Sequence, residues 1–111
     1  MMDAKHRLGQ MLEVTTEAQI QRAIVDLLTL HGWLVIPFAA PGTHKALRGV
    51  VMAGWPDLLA IKDGRYVHIE VKAKAGVLRK SQKLMHTLLR GQGCTVITAR
   101  SRADVEELIA E

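Results

Sequence analysis

The chain has 111 residues, 49% of them hydrophobic, which is room for one domain with a real core and excludes a disordered or low-complexity segment. A single cysteine, Cys94, excludes an internal disulfide framework and a zinc knuckle. Fifteen Lys and Arg against 11 Asp and Glu give a net charge of +4, too mild an excess to establish nucleic-acid binding unaided. No apolar run approaches the roughly 20 residues that span a bilayer. Met1 to Val14 mixes Asp3, Lys5, His6, Arg7 and Glu13 with scattered apolar residues, so it lacks the apolar stretch of a secretion signal. A cytoplasmic location is expected.

Residues 1–15 carry no periodicity and are expected to form a flexible N-terminal arm, which leaves 16–111 as the domain. Thr16 followed by Gln19 has the spacing of a capping box. Ile20, Ile24, Leu27, Leu28 and His31 then recur at helical intervals, and Gly32 is placed to end that helix. Residues 33–38 predict a strand, with Pro37 marking an edge position or an early end. A long connection from Ala39 to Gly54 follows, with a helical turn expected around Ala46 to Met52; loops of this length are often functional. Leu58 to Ile61 predicts the second strand, and Asp63-Gly64 is hairpin chemistry. Tyr66 to Ala73 predicts the third, with Val67, Ile69 and Val71 on one face and His68, Glu70 and Lys72 on the other. A helix from Arg79 or Ser81 to Arg90 is expected to bury Leu84, Met85, Leu88 and Leu89, with Gly91 and Gly93 closing it. Residues 94–99 predict the fourth strand, opened by Cys94 as a buried, inert thiol. Ser101 then caps a last helix carrying Val105, Leu108 and Ile109. The order α-β-β-β-α-β-α defines an α/β domain, a mixed central sheet flanked by helices, with no internal repeat.

Chemistry enters with Pro56-Asp57, thirteen residues ahead of Glu70-Val71-Lys72. Asp57 stands at the mouth of the second strand, while Glu70 and Lys72 share one face of the third. Neighbouring strands lie about 4.8 Å apart, so the hairpin can bring both carboxylates to one point. Two hard oxygen ligands suit Mg²⁺ or Mn²⁺, which keep waters and accept phosphate oxygens in their remaining positions. Such a metal makes water a nucleophile, and a lysine beside it stabilises the charge that develops. These are the needs of phosphodiester hydrolysis. The bare string is weak, and a Pro-Asp turn followed by an exposed Glu70–Lys72 ion pair is the bland alternative; the strand context favours the site.

Other residues are weighed against bland roles of their own. Glu17 sits at the edge of the first helix's apolar stripe and can turn toward the sheet, or simply complement the helix dipole. Gln82 is similarly half-inward on the later helix, against an ordinary solvated first-turn role. Lys72, Lys74, Arg79, Lys80 and Lys83 form a basic run with no acidic residue inside it, and His44, Lys45 and Arg48 form a second group. Such clusters neutralise phosphates, or are solvated faces. His68 is expected to be a partly exposed strand histidine. Trp33 and Phe38 are core aromatics, and Trp55 a packing residue beside the site.

The run Glu17…Gly54-Trp55-Pro56-Asp57-Leu58-Leu59…Glu70-Val71-Lys72…Leu78-Arg79-Lys80-Ser81-Gln82-Lys83 resembles the VRR-NUC (virus-type replication-repair nuclease) domain, a branch of the PD-(D/E)XK superfamily. The resemblance covers nearly the whole chain from Thr16 onward and implies a restriction-endonuclease-like α-β-β-β-α-β core. It implies that Asp57 and Glu70 hold a divalent metal, Mg²⁺ or Mn²⁺, with the Val71 carbonyl assisting. Lys72 would be the catalytic lysine, with Glu17 and Gln82 supporting the site. Stand-alone members are similar to enzymes that cut branched DNA as homodimers, so a DNA partner and a dimer are expected. DNA phosphates would be met by Lys45, Arg48, Lys74, Arg79, Lys80 and Lys83. In one respect the chain departs from the family: members often carry Ser-x-x-Gln, whereas Ser81 here directly precedes Gln82. The rivals are a non-catalytic DNA-binding subunit on the same fold, a junction resolvase of another family, and a structural protein without nucleic acid.

Overall fold

The structure is a computed structural model that describes residues 15–38 and 52–110. The predicted N-terminal arm up to Val14, the turn expected around Ala46, and the basic residues His44, Lys45 and Arg48 lie outside the described residues. Among those described, no helix is long and apolar enough to cross a membrane.

Helix α1, Glu17–Leu30, starts at a reciprocal capping box. The Gln19 amide N–H donates to Thr16 Oγ1 at 3.1 Å, and Thr16 N–H donates to Gln19 Oε1 at 2.9 Å. Two of the helix's orphan donors are thereby satisfied. Its inner face presents Ile20, Ile24 and Leu28, all buried. At the far end Gly32 takes φ +88°, which turns the chain back toward the sheet. Lys62 Nζ donates to the His31 carbonyl at 2.8 Å and so satisfies part of the exposed helix end.

Four strands follow: β1 (Leu34–Pro37), β2 (Leu58–Lys62), β3 (Arg65–Val71) and, after an intervening helix, β4 (Thr95–Ala99). They lie in the order β1-β2-β3-β4, so Pro37 is on an edge strand, where a missing N–H is tolerated. The β2–β3 hairpin closes on Asp63 (φ 51°) and Gly64 (φ 77°), with Lys62 opposite Arg65. Two positive-φ residues in succession match the right-handed twist of the strands and fix the register. That register pairs Leu58 with Ile69 and thereby brings Asp57 level with Glu70. β3 and β4 run parallel, which requires the helical crossover between them.

Residues 67–71 of β3 are buried without interruption because both faces of this central strand are covered. On one face Leu58, Val67, Ile69 and Val71 pack with Ile20, Ile24 and Leu28 of α1 and with Trp33, Ala99, Val105 and Leu108. Side chains such as Ile24, Leu28, Leu58 and Ile69 are fully buried, each contributing about 1.5–3 kcal/mol relative to exposure. The opposite face carries polar side chains, and helix α2 (Lys80–Gly91) lies over it.

Several boundaries and faces differ from expectation. β3 ends at Val71 rather than Ala73, and β4 opens at Thr95, leaving Cys94 half-buried ahead of it. The closing segment is a 3-10 turn (Arg102–Val105) running into a short helix α3 (Glu106–Ile109). Ser101 precedes it without a side-chain cap. Asp104 Oδ2 accepts the N–H of Arg100, just ahead of the turn, at 2.8 Å. The larger correction concerns α2. Leu84 and Leu88 are 60% and 52% exposed, and the inward face is Gln82, Met85 and His86. Two polar residues displace the expected leucines because the surface beneath them is polar.

Candidate active site

The segment before β2 is held tightly. Gly54 has φ +81°, and a Cβ there would lie 2.2 Å from the Ser81 carbonyl oxygen at the start of α2. Only glycine allows this loop to seat against the helix. Trp55 follows, edge-on to Phe38 (6.2 Å between ring centres) and to His68 (5.2 Å). Pro56 is fully buried, and the Asp57 carbonyl accepts the Phe38 N–H at 2.8 Å. Asp57 is therefore placed by anchors on both sides. Gly54→Ala is expected to cost about 3 kcal/mol, from the strained φ and the backbone clash together. The check is a thermal melt, and an unchanged melting temperature would contradict the close seating.

Asp57 Oδ2 accepts the Val71 N–H at 2.7 Å, which ties the loop carboxylate to the end of β3. Glu70, one residue earlier, is fully buried. Burial is the largest reason its carboxyl is pushed up to about 9; the hydrogen bond and negative charge of Asp57 raise it further, and Glu17 adds to this. The Lys72 ammonium opposes the shift. Lys72 is only 5% exposed, and its N–H donates to the Ala99 carbonyl at 3.0 Å. Two carboxyls are thus forced together beside one buried cation.

His86, which sequence reasoning missed, reaches into this cluster from α2. Its Nε2 lies 3.1 Å from Glu70 Oε1, and the ring is 2% exposed. Burial, then the charge of Arg90, lowers its pKa. Glu70 Oε2 is buried with no hydrogen-bond partner among the described residues. The signal for His86 was present as a Gln82-Met85-His86-Leu89 stripe, masked by the competing leucine stripe.

Glu17, at the first turn of α1, is exposed and faces an open groove also lined by Asp57, Val71 and Arg79. Gln82 is buried, and its Oε1 accepts the Arg79 N–H at 2.8 Å, so this oxygen caps α2. Arg79 rather than Ser81 is the N-cap residue, which puts Gln82 at the third helical position. Lys74, Arg79, Lys80 and Lys83 are all exposed. The turn after Lys72 is gripped by Arg100, whose Nη1 lies 2.9 Å from the Ala73 carbonyl oxygen and 2.6 Å from that of Gly76. His68 is 5% exposed rather than partly exposed, because β3 is central and Trp55 covers it; burial lowers its pKa.

The donor set fits a hard divalent cation. Asp57 and Glu70 offer carboxylate oxygens, one of them without a partner among the described residues, and the burial and neighbouring Asp57 that raise the Glu70 pKa are what a cation would offset. Among the described residues no three His, Cys, Asp or Glu side chains gather as a ligand cage.

A mixed four-stranded sheet with helices on both faces and a carboxylate pair at the sheet's end defines a restriction-endonuclease-like α/β domain. Among solved structures, one described as a VRR_NUC domain superposes with a TM-score of 0.68, covering 87% of this chain and 98% of its own, at 23% identity. The chain therefore has the fold of a VRR_NUC domain, as its motifs suggested. No family model and no curated protein matches it.

Proposed function

We propose that the chain is a metal-dependent nuclease that hydrolyses DNA phosphodiester bonds. The observation that carries this reading is the convergence of Asp57, Glu70 and Lys72 at one end of the sheet, beside an open groove. Asp57 and Glu70, with the Val71 carbonyl, would hold Mg²⁺ or Mn²⁺. Bound there, the ion supplies charge neutralisation at the scissile phosphate and makes water a nucleophile near neutral pH. Lys72 would bring an ammonium beside the reacting phosphate, its backbone anchored by the bond to Ala99. Glu17 and Arg79 border the groove, where Arg79 meets a phosphate and Glu17 orients water.

Labelled single-stranded, duplex, flap and four-way DNAs, incubated with and without Mg²⁺ or Mn²⁺, test the reading. Cleavage that needs the metal and is lost in Asp57→Asn is the expected result. Binding without cleavage under every condition would make the chain a non-catalytic DNA-binding subunit.

The proposal extends to branched DNA cut by a homodimer. One domain carries one such centre, and two cuts across a symmetric junction are most simply made by two sites on a two-fold axis. Leu84 and Leu88, exposed on α2, are apolar surface that a second copy would cover. Sedimentation at micromolar concentration reads the mass directly, and a monomer fully active on a four-way junction would overturn this extension.

DNA affinity is expected to fall steeply with salt. Lys74, Arg79, Lys80 and Lys83 are exposed, and Lys45 and Arg48 join them in the proposal. Each Lys→Ala change that removes a charge from a phosphate flattens the logarithmic salt slope by about 0.9 for duplex DNA. Fluorescence anisotropy across a salt series measures it, and a slope indifferent to these substitutions would place the DNA elsewhere.

A further inference from the structure

We propose that His86 is a positioning residue for Glu70: it holds Oε1 and so presents Oε2 to the divalent cation. The inference rests on the metal-binding reading above and adds a residue to it. Glu70 leaves β3 on the face covered by α2, and His86 meets it there at 3.1 Å, both side chains almost wholly buried. A buried glutamate has three side-chain torsions to fix, and this contact fixes the carboxylate's outer end.

Asp57 shows the same arrangement. Its Oδ2 is taken by the Val71 N–H at 2.7 Å, so one of its two oxygens is fixed by the protein. Glu70 Oε1 is taken by His86, and Oε2 is buried with no hydrogen-bond partner among the described residues. Each carboxylate thus has one oxygen held by the protein, and in the proposal the other faces the cation. A donor that orients a metal-binding carboxylate in this way commonly changes metal affinity 10- to 100-fold when removed. For the geometry to work, the neutral ring must carry its proton on Nε2, since only an N–H can donate to the carboxylate. Met85 and Gln82 flank His86 on the same inner face, so the ring is also packed, and the test must separate packing from donation.

His86→Met and His86→Gln make that separation. Both approximate the ring's volume, but only glutamine keeps an N–H near the position of Nε2. Mn²⁺ binding is measured by calorimetry without DNA, with melting curves confirming the fold. The expected result is a dissociation constant about 10- to 100-fold weaker in His86→Met and within about 3-fold of wild type in His86→Gln. Equal affinity in all three proteins, or equal weakening in both variants, would overturn the proposal. If His86→Met does not fold, nitrogen NMR of the wild-type imidazole decides. A ring protonated on Nε2 whose signal moves on Mg²⁺ addition, and does not move in Glu70→Gln, supports it; a ring protonated on Nδ1 overturns it. Asp57→Asn and Glu70→Gln serve as controls, because unchanged Mn²⁺ binding in both would remove the metal site itself rather than the role of His86 alone.

Discussion

Lys72→Met is expected to lower DNA cleavage by about a thousandfold while leaving the fold intact and Mn²⁺ affinity within a few-fold of wild type. Methionine approximates the length and volume of lysine and lacks only the charge, so the 5%-exposed site is not emptied. The backbone of Lys72 is fixed from one side by Val71, which pairs with Ala99 across the parallel ladder, and by its own bond to the Ala99 carbonyl. An ammonium on an anchored backbone and confined by burial needs little reorganisation when charge develops on the phosphate, and that is the source of the large expected effect. Single-turnover cleavage at saturating Mn²⁺ isolates the chemical step. A rate near that of wild type would remove Lys72 from the chemistry.

The second large effect is on stability. Glu70, with an ordinary carboxyl value of 4.5, is raised to about 9 in the folded protein, chiefly by burial and then by Asp57. The folded state therefore binds this proton more tightly than the unfolded chain. Its contribution is fully present below about pH 4.5, declines as pH rises, and is gone once pH passes about 9. The metal-free protein should accordingly melt lower at pH 9 than at pH 6. Glu70→Gln carries no such proton, keeps an oxygen to accept from His86, and should melt about 5–15 °C above wild type at pH 9, with a flatter pH dependence. Saturating Mg²⁺ should raise the wild-type melting temperature and leave that of the variant nearly unmoved. A variant less stable than wild type at pH 9, without metal, would show that the Glu70 charge is not a burden on the fold. A substitution that removes a proposed metal ligand is thus expected to strengthen the metal-free protein at high pH.

Much of the fold was legible because local rules agree with it. Thr16 and Gln19 announce the start of α1, Gly32 its end, and Asp63-Gly64 a two-residue hairpin whose register can be counted outward to Asp57 and Glu70. The alternation of β3 separated the α1-facing side chains from those of the candidate site. Where legibility failed, long-range packing was responsible. α2 carries two competing stripes, and the more hydrophobic one, through Leu84 and Leu88, faces outward. Hydropathy could not reveal that the surface awaiting this helix was Glu70 and Lys72, which is why His86 was missed. His68 was misplaced for a related reason: alternation assigns a face but does not say whether a helix or Trp55 will cover it. Arg100 had no local signal at all, because its partners lie 24 to 27 residues earlier.

That distance has a consequence for the order of assembly. The segment following the candidate lysine is held by Arg100, and the lysine's own backbone by Ala99, while α2 supplies the contact to Glu70. A nascent chain that has emerged only just past β3 possesses Asp57, Glu70 and Lys72 but none of these later supports. Such separated pairings form late, since the intervening chain must be closed first. In the proposed nuclease, hydrolytic competence would therefore arrive only after the parallel fourth strand has docked, and a chain cut short soon after Lys72 would carry all three residues and cut nothing.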